Sequence, residues 1–456
     1  MSDRDTFLDK LPFGPAPCLI ALMTVLAGLY LFSRPSSDDT NTLTIATFAR
    51  EHRDSYEEGR VAFEAAHPGV RVRTELLSHF AMNQRLRASL SAGLEVPDLV
   101  DIEISTAGGY FRGPVDQVGL VDLRPRLEES GILHRIPEGR FAPYTHKGRI
   151  FGLPHDIHPV GLAYRRDLFE EAGIDPESIR TWDDLIRVGR QISRVAEKFP
   201  RNPRYLIQLP SIDSWGVELI LFQRGGGIFD AEGNLTLDSP LVAETLRWYV
   251  PLVAGPDRIG YNAGVSGAAM IRSIEDGLVW MFVCPDWRTR KLENDAPQLA
   301  GKMAIMPLPA WEPGGRRTST WGGTMLAITS RCRQPDMAWE LVKHLYTSPE
   351  GWDHQWIKTG ILPPIREAWT RPAITAPNPF WSGQRIGKLF AEMAEEVPAQ
   401  HTHPFSELAQ AKLGEVLSAC RGYYEAHGDE GFAEFIDRSL AAAAAEVRKQ
   451  MARNPF

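Results

Sequence analysis

Cysteine is scarce in this 456-residue chain. There are four, Cys18, Cys284, Cys332 and Cys420, and no CxxC pair. That excludes a disulfide scaffold, a zinc ribbon and a thioredoxin-like redox motif. At most one disulfide can form among the last three, and buried free thiols are the expectation. Positive charge is not in excess either: 50 Lys+Arg stand against 58 Asp+Glu, a net charge of -8. No basic face or tail marks a nucleic-acid binder, so no nucleic-acid partner is expected. Long apolar runs are missing apart from one near the start, which rules out a multispanning membrane protein. The common catalytic signatures are absent as well. There is no GxxxxGK[ST], no HExxH and no GxGxxG after a strand, and Gly264-Val265-Ser266-Gly267-Ala268 ends in Ala where a nucleophile elbow needs Gly. His155-Asp156-Ile157-His158 and the pair His401 and His403 carry no spacing that demands a metal. No metal and no cofactor is expected.

The single apolar run, Cys18 to Phe32, follows Arg4 and Lys10 and precedes Ser33-Arg34-Pro35-Ser36-Ser37-Asp38-Asp39. No small-x-small cleavage site follows it, and Cys18 comes before the run where a lipobox cysteine would come after. Residues 1–32 therefore read as an uncleaved N-terminal membrane anchor helix, with a cleaved signal and then a buried globular helix as the alternatives. Residues 33–42 read as a tether, with the folded part outside the cytoplasm.

Beyond the tether, short apolar strands alternate with helical segments. Leu43–Phe48, Val70–Leu77 and Pro97–Ile102 read as strands, with helices over Ser55–Ala66 and Met82–Ala92, the second closed by Gly93. This βαβαβ order predicts an α/β fold with a largely parallel sheet. Tyr144–Pro154 reads as a hairpin turning at Lys147-Gly148. Thr181 and Asp184 form an N-terminal capping pair. Gly225-Gly226-Gly227 reads as a helix end running into a hairpin rather than a phosphate cradle. Further strands are expected at Val160–Tyr164, Ile207–Leu209, Leu278–Cys284, Lys302–Leu308 and Met325–Thr329.

Tryptophan is abundant, with 12 residues, and three stand at breaks in the pattern beside polar groups. Trp215 follows Ser211-Ile212-Asp213-Ser214, Trp287 follows Cys284-Pro285-Asp286, and Trp321 precedes Gly322-Gly323. Sugars need that mixture. Their C–H faces pack on aromatic rings, and their hydroxyls bond to carboxylates and amides. Core packing is the competing explanation for any one of the three rings.

Several stretches, in order, resemble family 1 extracellular solute-binding proteins, the sugar receptors of ABC importers. Tyr164-Arg165-Arg166-Asp167-Leu168-Phe169-Glu170-Glu171-Ala172-Gly173 with Thr181-Trp182-Asp183-Asp184-Leu185 is similar to the family's "YNKDLFEKAG…TWDEL". Pro97–Val100, Gly225–Asp230, Cys284–Trp287, Trp321–Gly323, Ala338–Glu340 and Gly360–Pro363 follow in the family's sequence. The resemblance covers about residues 43–430. Arg165 and Arg166 replace the usual Asn-Lys. It implies a two-lobed α/β fold of the periplasmic-binding-protein type (type II), with the ligand cleft between lobes that close about a hinge.

The implied crossovers lie near Asp156–His158, near Ile305–Pro307 and between Gln355 and Leu362. They give an N-lobe of 43–156 plus 306–357 and a C-lobe of 158–305 plus 358–456. Ligand contacts at strand ends are then expected from Phe48, Glu103, Asp156, Trp215, Asp286, Trp287, Trp321 and Gly322, with Glu103 and Trp321 on the N-lobe side. The implied function is a non-catalytic, monomeric receptor that captures a carbohydrate and hands it to ABC permease subunits. A binding lobe of a membrane sensor, and a glycoside hydrolase using Glu103 and Asp156 as its two carboxylates, are the alternatives.

Overall fold

Apolar runs too short for helices make the framework. Among the described residues twelve strands are formed: β1 (Thr42–Thr47), β2 (Arg71–Leu76), β3 (Leu99–Glu103), β4 (Thr145–His146), β5 (Arg149–Ile150), β6 (Leu153–Pro154), β7 (Val160–Arg165), β8 (Tyr205–Gln208), β9 (Gly260–Tyr261), β10 (Val279–Pro285), β11 (Met303–Pro307) and β12 (Thr324–Ile328). The computed structural model describes residue 20 and residues 23–26, 41–197 and 203–453, with the backbone alone for 193–197. Residues Leu43–Phe456 form one compact unit.

Two five-stranded sheets take all of these strands but β4 and β5, which pair with each other. The first runs β2-β1-β3-β12-β6 and the second β11-β7-β10-β8-β9. In the first, β1 and β3 are parallel while β12 runs antiparallel to both β3 and β6. In the second, β8 lies parallel to β9 and β10, and β7 is antiparallel to β10 and β11. Every residue of β7 and β12 is buried, as strands covered on both faces must be. The hairpin β4–β5 turns at Lys147 and Gly148 with φ of 48° and 79°, the left-handed backbone a tight two-residue turn requires.

Helix ends follow the chemistry expected of them. Asp184 Oδ2 accepts from Thr181 N at 2.9 Å, and Asp184 N donates to Thr181 Oγ1 at 3.3 Å, a reciprocal cap on the helix Trp182–Glu197. Gly225 N bonds Phe222 O and Gly226 N bonds Leu221 O, the paired closure of a helix terminated by glycine. Cys284, Cys332 and Cys420 are free thiols.

The strands change sheet twice, and the helices that follow make a third passage. It leaves the first sheet after Pro154 and enters the second at Val160. It returns between Pro307 and Thr324, later than the expected Ile305–Pro307. The reason is pairing: Met306 and Pro307 are in register with Leu162 and Gly161, so the whole of β11 belongs to the second sheet. The helix Pro349–Thr359 packs on the helix Arg50–Ala66 beside the first sheet, and the segment after it packs on β11 and β7 through the helix Ile386–Ala394. One core fills the second sheet's outer side, and another joins the first sheet to Phe282, Cys284 and Met303. The expected anchor, Cys18 to Phe32, lies largely outside the described residues. No helix among the described residues is long and apolar enough to cross a membrane.

Leu326 sits at the centre of β12, is fully buried, and is in register with Asp101 and Leu153 on the flanking strands. Leu326→Ala should cost about 2–5 kcal/mol of stability, read as a lower urea midpoint with unchanged slope.

Candidate functional site

The inner ends of the two sheets face each other. β3 ends at Glu103, β6 runs into His155-Asp156, and β12 begins just after Gly322-Gly323. From the second sheet, β8 ends at Gln208 and β10 at Pro285, followed by Asp286 and Trp287. Strand ends of parallel pairs place loops and helix starts here.

At the centre lies a buried chain of alternating charge. Arg140, 3% exposed, donates from Nε to Asp156 O at 2.9 Å and pairs through Nη2 with Asp156 Oδ1. Asp156 Oδ2 accepts from Thr324 N at 2.9 Å and lies 3.1 Å from His158 Nε2. His158 Nδ1 lies 2.5 Å from Asp286 Oδ1. Asp286 Oδ1 also accepts from Trp287 N, and Asp286 Oδ2 from Leu362 N at 2.7 Å. Burial works against a charged His158, but Asp156 and Asp286 outweigh it and raise its pKa to about 9. Burial likewise opposes the Asp156 carboxylate, yet His158 and then Arg140 hold it far below the usual range. His158 carries φ of 47°, an uncommon backbone for a residue with a side chain, and it aims the ring between the two carboxylates.

Gly323 has φ of 146°, and a Cβ there would collide with the Arg140 guanidinium. Gly322 has φ of 83° and its carbonyl accepts from Arg140 at 3.3 Å. The Gly-Gly pair is therefore required by both backbone and space.

Around this chain stand the aromatic rings. Trp215 stacks on Trp321 with centroids 4.1 Å apart and planes at 8°. Trp287 meets Trp321 edge-on at 5.5 Å, and its Nε1 donates to Trp321 O at 3.2 Å. All three rings are half-buried. Trp321 packs against the second sheet's core, and Ser319 beside it bonds Leu219 O. The expectation that Trp321 belongs to the N-lobe side is corrected accordingly.

Glu103, in register with Thr324, is half-buried and caps the short helix after β3, accepting from Ser105 N at 2.9 Å. Burial raises its pKa to about 7 against the lowering effect of Ser105. Phe48, at the end of β1, is half-buried with its ring edge-on to His79 at 4.9 Å.

Asp156 and Asp286 have no exposed surface, and protein donors occupy all four carboxylate oxygens. The two carboxylates expected to accept from a ligand are thus engaged by protein groups on every oxygen. Arg140 and His158, the cations of this chain, did not stand out from sequence as binding groups. Only the HDIH run hinted at polar chemistry there. Among the described residues no group of His, Cys, Asp and Glu is placed to hold a metal ion.

A second buried network backs the first sheet. Asp101 accepts from Thr47, from Tyr56 at 2.7 Å and from His52 Nδ1 at 3.0 Å. Tyr56 meets Tyr346, and Tyr346 meets His155, the residue preceding Asp156. The opposed ends of the two sheets are also linked at the rim, where Arg87 pairs with Glu407 at 2.6 Å and Arg112 bonds Pro404 O.

Comparison with known proteins gives a consistent picture. Residues 50–351 match the family described as bacterial extracellular solute-binding protein. An arabinooligosaccharide-binding protein of Halalkalibacterium halodurans is 29% identical over 357 residues, covering 77% of this chain and 78% of that protein. An arabinooligosaccharide-binding protein of Bacillus subtilis is 25% identical over 397 residues, covering 85% of this chain and 89% of that protein. Among solved structures, an extracellular solute-binding protein of family 1 superposes with a TM-score of 0.72 at 24% identity, covering 88% of this chain and 99% of that one. The sugar-binding protein MalE from Xanthomonas citri does so with 0.71 at 18% identity, covering 91% and 100%. The two-lobed α/β architecture is the fold these structures share.

The His158 pKa of about 9 lies above its ordinary value near 6.5. The stability this contributes is full below pH ~6.5 and is lost as pH rises through about 9. Denaturation midpoints should fall across that window in the unaltered protein. In His158→Gln the fall should be largely absent, with lower stability at pH 6.

Proposed function

We propose that this chain, which belongs to the bacterial extracellular solute-binding protein family, captures a carbohydrate in the cleft between its lobes and delivers it to an ABC importer. The observation that carries the reading is the cluster of Trp215, Trp287 and Trp321, with Glu103 in register with Thr324 just past Trp321-Gly322-Gly323. Rings supply surfaces for sugar C–H faces, and the carboxylate supplies an acceptor for hydroxyls. The names of the curated relatives support an oligosaccharide as the ligand.

In this reading Glu103 and Phe48 contact the ligand from the first lobe, and Trp215, Trp287 and Trp321 from the second. Gly322 lets the Trp321 backbone approach Trp287 and His158 closely. Asp156 and Asp286 act through the crossovers they hold. The N-lobe is then residues 43–156 and 324–359, and the C-lobe 158–307 with the helices from Ser406 onward. The hydrolase alternative loses its second carboxylate, because Asp156 is enclosed and ion-paired. The family consists of binding proteins, and its extracellular description puts the folded part outside the cytoplasm. Retention at the membrane by the run Cys18 to Phe32, action as a monomer, and handover to permease subunits complete the proposal.

Calorimetric titration with arabinooligosaccharides and maltooligosaccharides tests it. Glu103→Gln keeps the helix cap but removes a charged acceptor, and should weaken binding roughly tenfold. Trp215→Ala should weaken it by about 1 kcal/mol or more. Unchanged affinity in both folded variants would return these residues to a packing role.

A further inference from the structure

Two of the three clustered rings are in contact with each other face to face. Trp215 and Trp321 lie 4.1 Å apart between centroids with their planes 8° from parallel, so each covers one face of the other. A sugar ring held between two aromatic faces needs two van der Waals contacts in series, ~7–8 Å from ring to ring. No sugar fits between these rings as they stand. The face of Trp321 that Trp215 covers is already taken.

The two rings are held unequally. Trp321 is fixed from several sides. Its carbonyl oxygen accepts from Trp287 Nε1 at 3.2 Å, and the Trp287 ring meets it edge-on at 5.5 Å. The Arg288 guanidinium lies 5.4 Å from its ring and is itself tied to the carbonyl oxygens of Val283 and Val265. The two residues before it are buried and bonded, Ser319 to Leu219 O and Thr320 to Arg140. Trp215 packs at the edge of the second sheet's core with no polar tie. Its indole Nε1 is buried and has no partner among the described residues, which is costly for a donor out of water. It opens the helix Trp215–Gln223, which no side chain caps, and it follows the exposed residues Ile212 and Asp213. The backbone beside it is tightly packed, since a Cβ on Gly216 would collide with Tyr249 Oη and Pro210. The freedom that remains to Trp215 is rotation of its side chain between rotamers.

Resting on the reading of this cleft as a saccharide site, we propose that Trp215 is its gate. Until a ligand arrives, Trp215 rests on Trp321 in the place a sugar ring would take. On binding, the Trp215 side chain swings off, one ring of the saccharide replaces it on Trp321, and the freed indole packs against the sugar and donates its N–H to a hydroxyl. The stack keeps an apolar face out of water and also sets a threshold. A solute gains the site only by giving Trp321 a contact at least as good as the ring it displaces, because a ligand shifts such an equilibrium only through its differential affinity.

The full chain, isotope-labelled in its tryptophans, is followed by NMR during titration with arabinooligosaccharides and maltooligosaccharides, and calorimetry on the same samples establishes saturation. Trp215→Phe assigns the Trp215 indole N–H signal by its loss. At saturation that signal should move downfield, further than that of any tryptophan outside the cluster, as the N–H leaves the Trp321 ring and gains an acceptor. Stopped-flow fluorescence on Trp215→Ala supplies a kinetic test. Uncovering Trp321 should raise the association rate roughly two- to tenfold, the worth of one aromatic stack. Dissociation should speed up by more, so that affinity falls. A residue that only touched the ligand would change dissociation alone. A Trp215 signal that stays in place at saturation would overturn the gate. So would an association rate no faster in Trp215→Ala than in the unaltered protein. Both results leave the carbohydrate reading standing. If Trp215→Ala does not fold, the NMR titration decides alone. Binding of no saccharide would overturn the carbohydrate reading and the gate with it.

Discussion

The buried sequence of charges Arg140, Asp156, His158 and Asp286 is the constraint on which the two-lobed arrangement depends. Its members come from three separate parts of the chain, and none tolerates isolation in the interior. Asp156 and His158 lie on the first crossover. Arg140 bonds Thr320 and Gly322 on the second. Asp286 follows β10 and accepts from Leu362 on the third. Two cations and two anions alternate, so the cluster is neutral overall while every member keeps an opposite charge beside it. Breaking one contact leaves a charge unpaired, and that couples the three crossovers.

A hinge of this kind limits how the lobes move. Short extended links absorb rotation, while the ion chain keeps their register. At the rim, Arg87–Glu407 and Arg112–Pro404 O are contacts an opening motion would have to break. Of these, the first is an exposed pair of small energetic weight, so it can be exchanged for water readily. The cleft between holds rings and polar groups whose partners are only partly supplied by the protein. A ligand that satisfies them favours the closed arrangement by differential binding, which is the only way a ligand shifts such an equilibrium.

Much of this architecture was legible in the sequence where local chemistry decides it. The apolar runs at Leu99–Ile102 and Leu278–Cys284 could be little other than enclosed strands. Thr181 with Asp184 marked a helix start, and Lys147-Gly148 a turn. Trp321-Gly322-Gly323 stood out as a ring at a break in the pattern, but the approach of Arg140 and Trp287 to its glycines did not. What sequence did not reveal depends on distant partners. The second crossover was placed too early because Met306 and Pro307 look the same whether they pair with Leu162 or end a lobe. Asp156 and Asp286 looked like open ligand contacts because their partners, Arg140, Thr324 and Leu362, are remote in the chain.

Small-angle X-ray scattering on the full chain, free and saturated with whichever oligosaccharide binds, tests the central claim most directly. The account predicts a smaller radius of gyration in the bound state, as lobes hinged at the ion chain close on the sugar. Superimposable profiles at confirmed saturation would contradict a closing cleft, and with it the receptor that reports its occupancy to a permease.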